Sequence, residues 1–395
     1  MLGSIRKLLI GNGLAQVIQL GSLLLLSRLY QPGDFGLLAQ VQSIAMIGII
    51  AATLQLHLTI PLSETELEAQ RRTETVQGLV VGIFLFSIIP AYLAGGDALI
   101  ALVLVGFLAL VNTYNSFLVH AGRFGALSGF YIARACMVVG LQFAFAAAGI
   151  RDGLVWGAVL AEGLAAIYLR GRYLGFSWLR PVRLPALIEL IRRYRSFAIY
   201  GSLQEGLSVA AFYAPLLLFT YKYGEVVGGQ YAMANRLVWA PVVLLSGSVA
   251  QVLYHKFGRD RPCTTRALLD LVPSRPVIGA LFILLASCFF LTDFFYFVIG
   301  DQWRLASDLM PIQCVWGIIF LASTPARVIC RALELQRYQL LIDGGMLIVT
   351  TFFFFIPNLN PVERMWGVVG IALVQHSLMI TLIWRKLGLL GKLHE

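Results

Sequence analysis

The stretch "LLSRLYQPGDFGLLAQVQS", residues 25–43, joins the end of one apolar run to the beginning of another. The first run, from Leu8 to Tyr30, contains no ionised side chain until Arg28. As a helix rising 1.5 Å per residue, it is long enough to cross a hydrocarbon layer of about 30 Å. The Pro-Gly-Asp break at residues 32–34 supplies a turn, so this stretch predicts two consecutive membrane-spanning helices.

The composition indicates the same class over the whole chain. Of the 395 residues, 59% are hydrophobic and only 13% are charged, and the mean hydropathy is +0.81. A soluble protein of this size could not bury so much apolar surface, whereas lipid can cover it. Arg6 and Lys7 precede the first run as in a secretory signal, but the run exceeds the usual length of about 7 to 15 residues and no A-x-A-like site follows. We therefore expect a retained helix.

Further apolar runs follow along the chain, and with the first they predict about twelve spanning helices of an all-α integral membrane protein. The predicted spans after the first lie near 35–62, 76–94, 98–119, 133–150, 153–169, 198–221, 226–254, 275–299, 305–326, 338–356 and 366–384. We expect an N-terminal six-helix lobe over 1–169, a basic cytoplasmic linker over 170–197 and a C-terminal six-helix lobe over 198–395.

Lysine and arginine concentrate on one side of the predicted membrane. With a cytoplasmic N-terminus, most of the 30 basic residues, including Arg134, fall in cytoplasmic segments. The exceptions are Arg28, Arg151, Lys222, Arg236, Arg304 and Arg364. This bias predicts that both termini are cytoplasmic, and it explains the net charge of +10 without any nucleic-acid partner.

The linker contains the longest polar interruption, residues 170–196, with seven arginines and one acid. It has two interpretations. It is either an ordinary basic cytoplasmic loop or a surface helix that lies on anionic lipid. The second rests on four apolar residues that share one helical face, Leu184, Leu187, Ile188 and Ile191.

Several chemistries lack their sequence signatures. The chain contains no G-x-x-x-x-G-K-[ST] phosphate loop, no H-E-x-x-H and no G-x-S-x-G. Its five cysteines are scattered without a C-x-x-C, which predicts neither a disulfide framework nor a zinc site. We expect no metal and no cofactor. The predicted outer connections, of about ten residues or fewer, are too short for a typical membrane enzyme of glycan assembly.

Three amide side chains lie on one face of the first predicted helix. Asn12, Gln16 and Gln19 are spaced i, i+4 and i+7. They either line a substrate pathway or hydrogen-bond to neighbouring helices. Arg28 lies roughly 160° around the helix from Asn12, near the outer end, where it can snorkel to the interface.

Arg236 is the strongest pathway candidate. It lies about 15 Å into the eighth predicted span, beside Asn235 and after Gln230. A guanidinium near mid-membrane requires an anionic partner or a wet cavity. The alternative is a structural ion pair with Glu205 or Asp343.

Glu162 lies midway along the sixth predicted span, between Ala161 and Gly163. Because a bare charge there is costly, we expect the protonated form, which makes Glu162 a candidate proton carrier. Glu205 and Asp343 are further candidates for ion coupling.

Three segments carry a family resemblance. They are "LLSRLYQPGDFGLLAQVQSIAMIG" at 25–48, "GGQYAMANRLVWAPVVLLSGSVAQVLY" at 228–254 and "VIGDQWRLASDLMPI" at 298–312, the last with Gly300, Trp303 and Ala306 in a G-x-x-W-x-x-A pattern. The chain resembles the Wzx-type polysaccharide repeat-unit flippases of the multidrug/oligosaccharidyl-lipid/polysaccharide exporter (MOP) superfamily.

The resemblance implies two pseudo-symmetric, MATE-like six-helix bundles around a cationic cavity. It implies transfer of polyprenyl-pyrophosphate-linked oligosaccharide from the cytoplasmic to the periplasmic leaflet of a bacterial inner membrane, for O-antigen, lipopolysaccharide or exopolysaccharide assembly. Arg28 and Arg236 are the residues that correspond to cations in related flippases. Membrane lipids and other polysaccharide assembly proteins are the implied partners. A multidrug or small-solute exporter on the same scaffold is the alternative function, and a membrane enzyme of glycan assembly is a lesser one.

Overall fold

The computed structural model describes residues 2–175, 184–260, 299–332 and 335–392, together with positions 279, 283, 296 and 297. Nearly all of these residues are helical, and none of them lies in a strand. The predicted all-α class is therefore confirmed.

The chain divides into two compact units, Met1–Val209 and Ala210–Glu395, here called unit 1 and unit 2. The helices of unit 1 are α1 Leu2–Leu29, α2 Pro32–Thr53, α3 Glu66–Ala94, α4 Gly96–His120, α5 Phe124–Ala147, α6 Gly153–Tyr173 and α7 Leu184–Arg193. A short 3₁₀ segment, Leu56–Leu62, connects α2 to α3, and a π-helical turn, Ser196–Gly201, follows α7.

Helix α8, Ser202–Tyr223, crosses the division between the units. The other described helices of unit 2 are α9 Glu225–Asp260, α10 Arg304–Ala332, α11 Gln336–Phe354 and α12 Pro361–Lys392, with a 3₁₀ turn, Asp301–Trp303, before α10.

Eleven of the twelve predicted spans coincide with a described helix of 19 residues or more. Nine of these helices are both long and apolar enough to cross a membrane, counted over the described residues. The predicted span near 275–299 lies almost wholly outside those residues. Helix α3 begins at Glu66 rather than near residue 76, and α5 begins at Phe124 rather than near residue 133. Arg134 therefore lies inside a spanning helix, and its assignment to a cytoplasmic segment is wrong.

The opening stretch forms the predicted turn between α1 and α2. Pro32 begins α2, where its missing N–H is harmless, and the Asp34 carboxylate accepts a hydrogen bond from the Gln31 backbone N–H at 2.8 Å. The Tyr30 hydroxyl donates to the carbonyl of Gln142 in α5 at 2.8 Å. This contact anchors the turn to a helix that is distant in sequence.

Small residues let helices of unit 1 approach closely. A Cβ atom added at Gly11 would lie 2.2 Å from Ser128 Oγ, at the crossing of α1 and α5. At the α5–α6 crossing, a Cβ at Gly157 would lie 2.8 Å from Gln142 Cγ. Such contacts drive packing in membranes, where apolar side chains gain little by leaving lipid.

Within unit 1, the amphipathic helix α7 packs against α3 and the 3₁₀ segment Leu56–Leu62. Leu187 and Leu190 are buried against Leu56 and Val76, whereas Leu184 and Ile188 remain exposed. Of the four residues predicted to share one apolar face, some are thus packed against the protein and others are exposed at its surface. This docking helps to explain why the division between the units falls within α8, later than the predicted linker.

A buried arginine ties together the ends of three helices in unit 2. Arg364 of α12 is 0% exposed. Its Nε donates to Tyr223 Oη at 2.6 Å, Nη1 to the Phe353 carbonyl at 2.9 Å and Nη2 to the Ile356 carbonyl at 2.8 Å. Tyr223 in turn donates to the Leu359 carbonyl at 2.6 Å. The cluster fixes the ends of α8 and α11 against the beginning of α12.

Candidate functional site

Arg236 of α9 is the centre of the candidate site in unit 2. It is the twelfth residue of the helix, roughly 16 Å along the axis from Glu225, and its side chain is half-buried. It interacts electrostatically with Tyr213 of α8. The sequence-based placement of Arg236 near mid-membrane, and its role in binding, both stay predictions.

One helical turn after Arg236, an aromatic cluster gathers around Trp239. The Trp239 ring centroid lies 4.9 Å from that of Phe212 in α8, and 5.0 Å from those of Trp316 and Phe320 in α10. The interplanar angles of these three contacts are 89°, 81° and 79°, so the rings meet edge to face. Three helices thus build a rigid aromatic surface around Trp239, which follows Arg236 by three residues in α9.

Trp239 also has an unused hydrogen-bond donor. Its side chain is only 4% exposed, yet its indole Nε1–H has no hydrogen-bond partner among the described residues. Buried polar groups in proteins are nearly always bonded, so such a group requires an explanation. A ligand oxygen reaching the cluster beside Arg236 would satisfy it.

A second cation flanks the aromatic cluster. The guanidinium carbon of Arg327 lies 3.5 Å from the Phe320 ring centroid, and its Nη2 donates to the Phe320 carbonyl at 2.9 Å and to Thr324 Oγ1 at 3.1 Å. The imidazole of His376 in α12 lies 6.0 Å from the same ring. The cluster is therefore bordered by a guanidinium group from α10.

Two residues near Arg236 differ in their role. Asn235 is half-buried beside it. Gln230 is 6% exposed and caps α10: its Nε2 donates to the Gln302 carbonyl at 2.5 Å, and its Oε1 accepts from the Ala306 backbone N–H at 2.9 Å. Because both ends of this amide are committed to backbone, the geometry gives Gln230 a structural role in place of the predicted substrate contact.

In unit 1, the polar face of α1 is exposed over the first half of the helix. Asn12 and Gln19 are exposed, and Gln16 is half-buried with its Oε1 lacking a hydrogen-bond partner in the described part of the chain. On the same face further along, Leu23 and Leu26 are buried. An exposed amide face in a spanning helix favours contact with a polar pathway over contact with lipid.

Arg28 does not share this face. It is exposed near the C-terminal end of α1, next to Leu29, which is 55% exposed. This is the environment expected of an arginine that snorkels to the membrane surface. The geometry separates Arg28 from the amides, as the helical angle predicted.

Glu162 of α6 forms an ion pair with Arg134 of α5. The Arg134 Nε lies 2.8 Å and 2.9 Å from the two carboxylate oxygens, and Nη2 lies 2.5 Å from Oε1. The expectation of a protonated Glu162 is thereby corrected, because a guanidinium in bidentate contact stabilises the ionised form. The sequence-based reasoning missed this partner by beginning α5 too late, although the apolar run "FGALSGFYI" at 124–132 was the available signal.

The remaining predicted acids are Asp343 and Glu205. Asp343 of α11 is 6% exposed and accepts a hydrogen bond from Gln375 Nε2 of α12 at 2.8 Å. One turn earlier in α11, Gln339 is 4% exposed, and its Oε1 has no hydrogen-bond partner within the described ranges. Glu205 is half-buried in the first turn of α8 and belongs to unit 1. Among the described residues, no group of three or more His, Cys, Asp or Glu is arranged to hold a metal ion.

Comparison with known proteins yields similarity in structure alone. No protein-family model matches the chain, and no curated protein does. Among solved structures, the lipid II flippase MurJ in an inward-closed conformation matches with a TM-score of 0.71 at 13% identity, over 95% of this chain and 85% of that one.

Two transporters of the MOP superfamily also match. An inward-facing multidrug resistance MATE family transporter has a TM-score of 0.59 at 14% identity, over 98% of this chain and 95% of that one. A MOP superfamily transporter from Pyrococcus furiosus, for which reverse polarity of the binding pocket suggests a different function, has a TM-score of 0.55 at 13% identity with the same coverage. The predicted MATE-like fold is therefore confirmed.

Proposed function

We propose that this chain is a flippase for polyprenyl-pyrophosphate-linked oligosaccharide, moving repeat units from the cytoplasmic to the periplasmic leaflet for surface polysaccharide assembly. The observation that carries the proposal is the placement of Arg236 in α9, three residues before Trp239, whose ring centres an aromatic cluster and whose indole N–H has no hydrogen-bond partner among the described residues. The lipid II flippase with the same fold supports a lipid-linked substrate. The chain is then a transporter rather than an enzyme.

The chemistry of this substrate fits the candidate site. A bare pyrophosphate cannot cross hydrocarbon, because an isolated ion there costs tens of kcal/mol by a Born estimate. Arg236 would replace part of its hydration, and aromatic rings can pack against the apolar faces of sugars. The amides of α1, in unit 1, are further candidates for contact with the substrate. The lipid tail would stay in the bilayer. Outward movement of the anion also follows an inside-negative potential, worth about 2.3 kcal/mol per charge per 100 mV.

Alternating access is the proposed transport cycle, in a bacterial inner membrane with both termini in the cytoplasm. Glu162, Glu205 and Asp343 remain the candidates for ion coupling. Glu162→Gln removes the titratable group while keeping the side-chain shape. We expect this variant to lose the dependence of transport on a pH gradient, and unchanged dependence would exclude Glu162 from coupling.

A multidrug exporter is the second candidate, supported by the fold shared with a multidrug MATE transporter and by the aromatic cluster. The two candidates predict opposite charge preferences. A guanidinium at the centre of the site repels the cationic compounds that an aromatic surface would otherwise attract. Purified protein in vesicles, offered a lipid-linked oligosaccharide or a cationic drug, distinguishes them by which one is transported.

The decisive variant is Arg236→Ala, measured by flipping of a fluorescent polyprenyl-pyrophosphate oligosaccharide in vesicles. We expect loss of nearly all transport at a normal protein level, because the anionic headgroup loses its counter-charge. Arg337→Ala, at an exposed arginine near the beginning of α11, is the matched control and should transport normally. Full transport by Arg236→Ala would exclude the headgroup role, and failure of the variant to accumulate would indicate a structural one.

A further inference from the structure

A second guanidinium lies deep within the spanning helices, in unit 1. Arg134 is about 15 Å along α5 from Phe124, and Glu162 is about 14 Å along α6 from Gly153. Their bidentate contact, with N···O distances of 2.5 to 2.9 Å, uses the Nε and Nη2 edge of the guanidinium. Among the described residues, no hydrogen bond is formed by Nη1.

The two partners differ in accessibility. The Arg134 side chain is 29% exposed, whereas the Glu162 side chain is 7% exposed. The exposed part of a charged side chain at this depth faces a polar pathway rather than hydrocarbon, because ionised groups within spanning segments avoid lipid. The cation of the pair is therefore open to a solute, while its acid is buried.

We propose that Arg134 is a second receiver of the anionic headgroup, with Glu162 as its resident counter-ion. This inference rests on the function proposed above. A phosphate presents the same spacing of oxygens to the guanidinium fork as a carboxylate does, and arginine binds either one bidentately. The pyrophosphate approaches the exposed side of Arg134 and exchanges with Glu162 at its Nε and Nη2 edge. When the headgroup leaves, Glu162 returns.

The exchange has a consequence for protons. It leaves the Glu162 carboxylate buried without a cation, so this carboxylate binds a proton from water on the side that admitted the substrate. On α5, Arg134 contacts Glu162 directly, and Tyr131 interacts electrostatically with Arg134. The other titratable or charged groups on α6 and on the helices that contact it are Cys136, Tyr114, His120, Asp97, Asp34, Tyr168, Arg170, Arg172 and Tyr173.

The test measures binding of undecaprenyl pyrophosphate, without sugar, to the full chain in nanodiscs by calorimetry in two buffers of different ionisation enthalpy. We expect Arg134→Gln to weaken binding and Glu162→Gln to tighten it, each by about 10- to 100-fold, the contribution of one hydrogen-bonded charged group. The wild type should take up about one proton per ligand bound, and Glu162→Gln none.

The matched control is Glu68→Gln, which removes the acid of another arginine–glutamate pair, Arg72–Glu68, at the beginning of α3. We expect its affinity to equal that of the wild type. If Glu162→Gln binds the probe equally or more weakly, the exchange is overturned, and this variant decides the matter even if Arg134→Gln does not fold. If the wild type binds no undecaprenyl pyrophosphate, the proposed function fails and the inference with it. If it binds while both variants are unchanged, the inference alone fails.

Discussion

Arg364 in unit 2 and Arg134 in unit 1 are both arginines of long apolar helices, but their guanidinium groups have different partners. Arg364 is 0% exposed and donates to three neutral oxygens, of which two are backbone carbonyls. Arg134 is 29% exposed and contacts one carboxylate of a neighbouring helix. The first arrangement joins helix ends, and the second leaves a cation accessible.

The difference lies in what each partner can do. A backbone carbonyl cannot move away without unfolding part of a helix, so the contacts of Arg364 persist as long as the fold does. A glutamate side chain can rotate, change its protonation state and be replaced by another anion. A buried guanidinium therefore indicates function only when its partner is exchangeable. On this criterion Arg134 is a functional candidate and Arg364 is a structural residue.

The largest effect is expected from Arg364→Gln. The change removes three hydrogen bonds, among them the side-chain donor to the Ile356 carbonyl, which should lower the free energy of unfolding by about 3 kcal/mol or more. Thermal unfolding and yield in detergent measure it. Arg364→Lys keeps the charge but loses the planar set of guanidinium donors, so its unfolding midpoint should lie between those of the wild type and Arg364→Gln. An unfolding midpoint equal to that of the wild type would refute the structural role.

A smaller loss of stability is expected at the Arg134–Glu162 pair, and a second substitution should reverse it. Arg134→Gln removes the cation that pairs with the buried Glu162 and should cost about 1.5 to 3 kcal/mol of stability. The double variant Arg134→Gln, Glu162→Gln also removes the carboxyl group left without a partner and should recover most of the loss. The unfolding midpoints of the wild type, the two single variants and the double variant form a double-mutant cycle that measures this pairing. A double variant no more stable than Arg134→Gln would show that the two side chains do not act as a pair.

Tyr223→Phe sharpens the comparison by removing one partner of Arg364. It removes the acceptor for Arg364 Nε and the donor to the Leu359 carbonyl, at a cost of about 1 to 2 kcal/mol. Tyr221→Phe, at a side chain 79% exposed, is the control and should not change the unfolding midpoint. Equal unfolding midpoints for the two variants would show that the contacts of Arg364 with the backbone carbonyls alone stabilise the cluster.

The smallest effect on stability is expected from single-cysteine substitutions. These substitutions test which side of the membrane the ends of the helices face, and thus the orientation of Arg134 and Arg364. Arg193→Cys in α7 and Asp97→Cys in the first turn of α4 both change exposed residues, and each should alter stability by less than about 0.5 kcal/mol. In a cysteine-free background, an impermeant reagent outside intact cells should label Asp97→Cys and not Arg193→Cys. The reverse pattern would overturn the predicted orientation.

The sequence by itself determined the class of protein and the positions of most helices. A continuous apolar run of this length satisfies its backbone hydrogen bonds in lipid as a helix, so the run from Leu8 to Tyr30 and the turn at Pro32 have one physical solution. The same logic located Arg236, because a single charge in an apolar run is visible without any structure. These features depend on residues that are close together along the chain.

The tertiary structure alone decided which polar groups meet. Arg134 and Glu162 are 28 residues apart, and their pairing depends on the close approach of α5 and α6 that Gly157 permits. Gln230 caps a helix that begins 74 residues later in the chain, at Arg304. Pairing at such separations depends on helix rotation and distance, which small shifts in packing control, and the order of residues does not encode them locally. Whether a charge in the membrane joins helix ends or remains accessible to a ligand is therefore decided by packing.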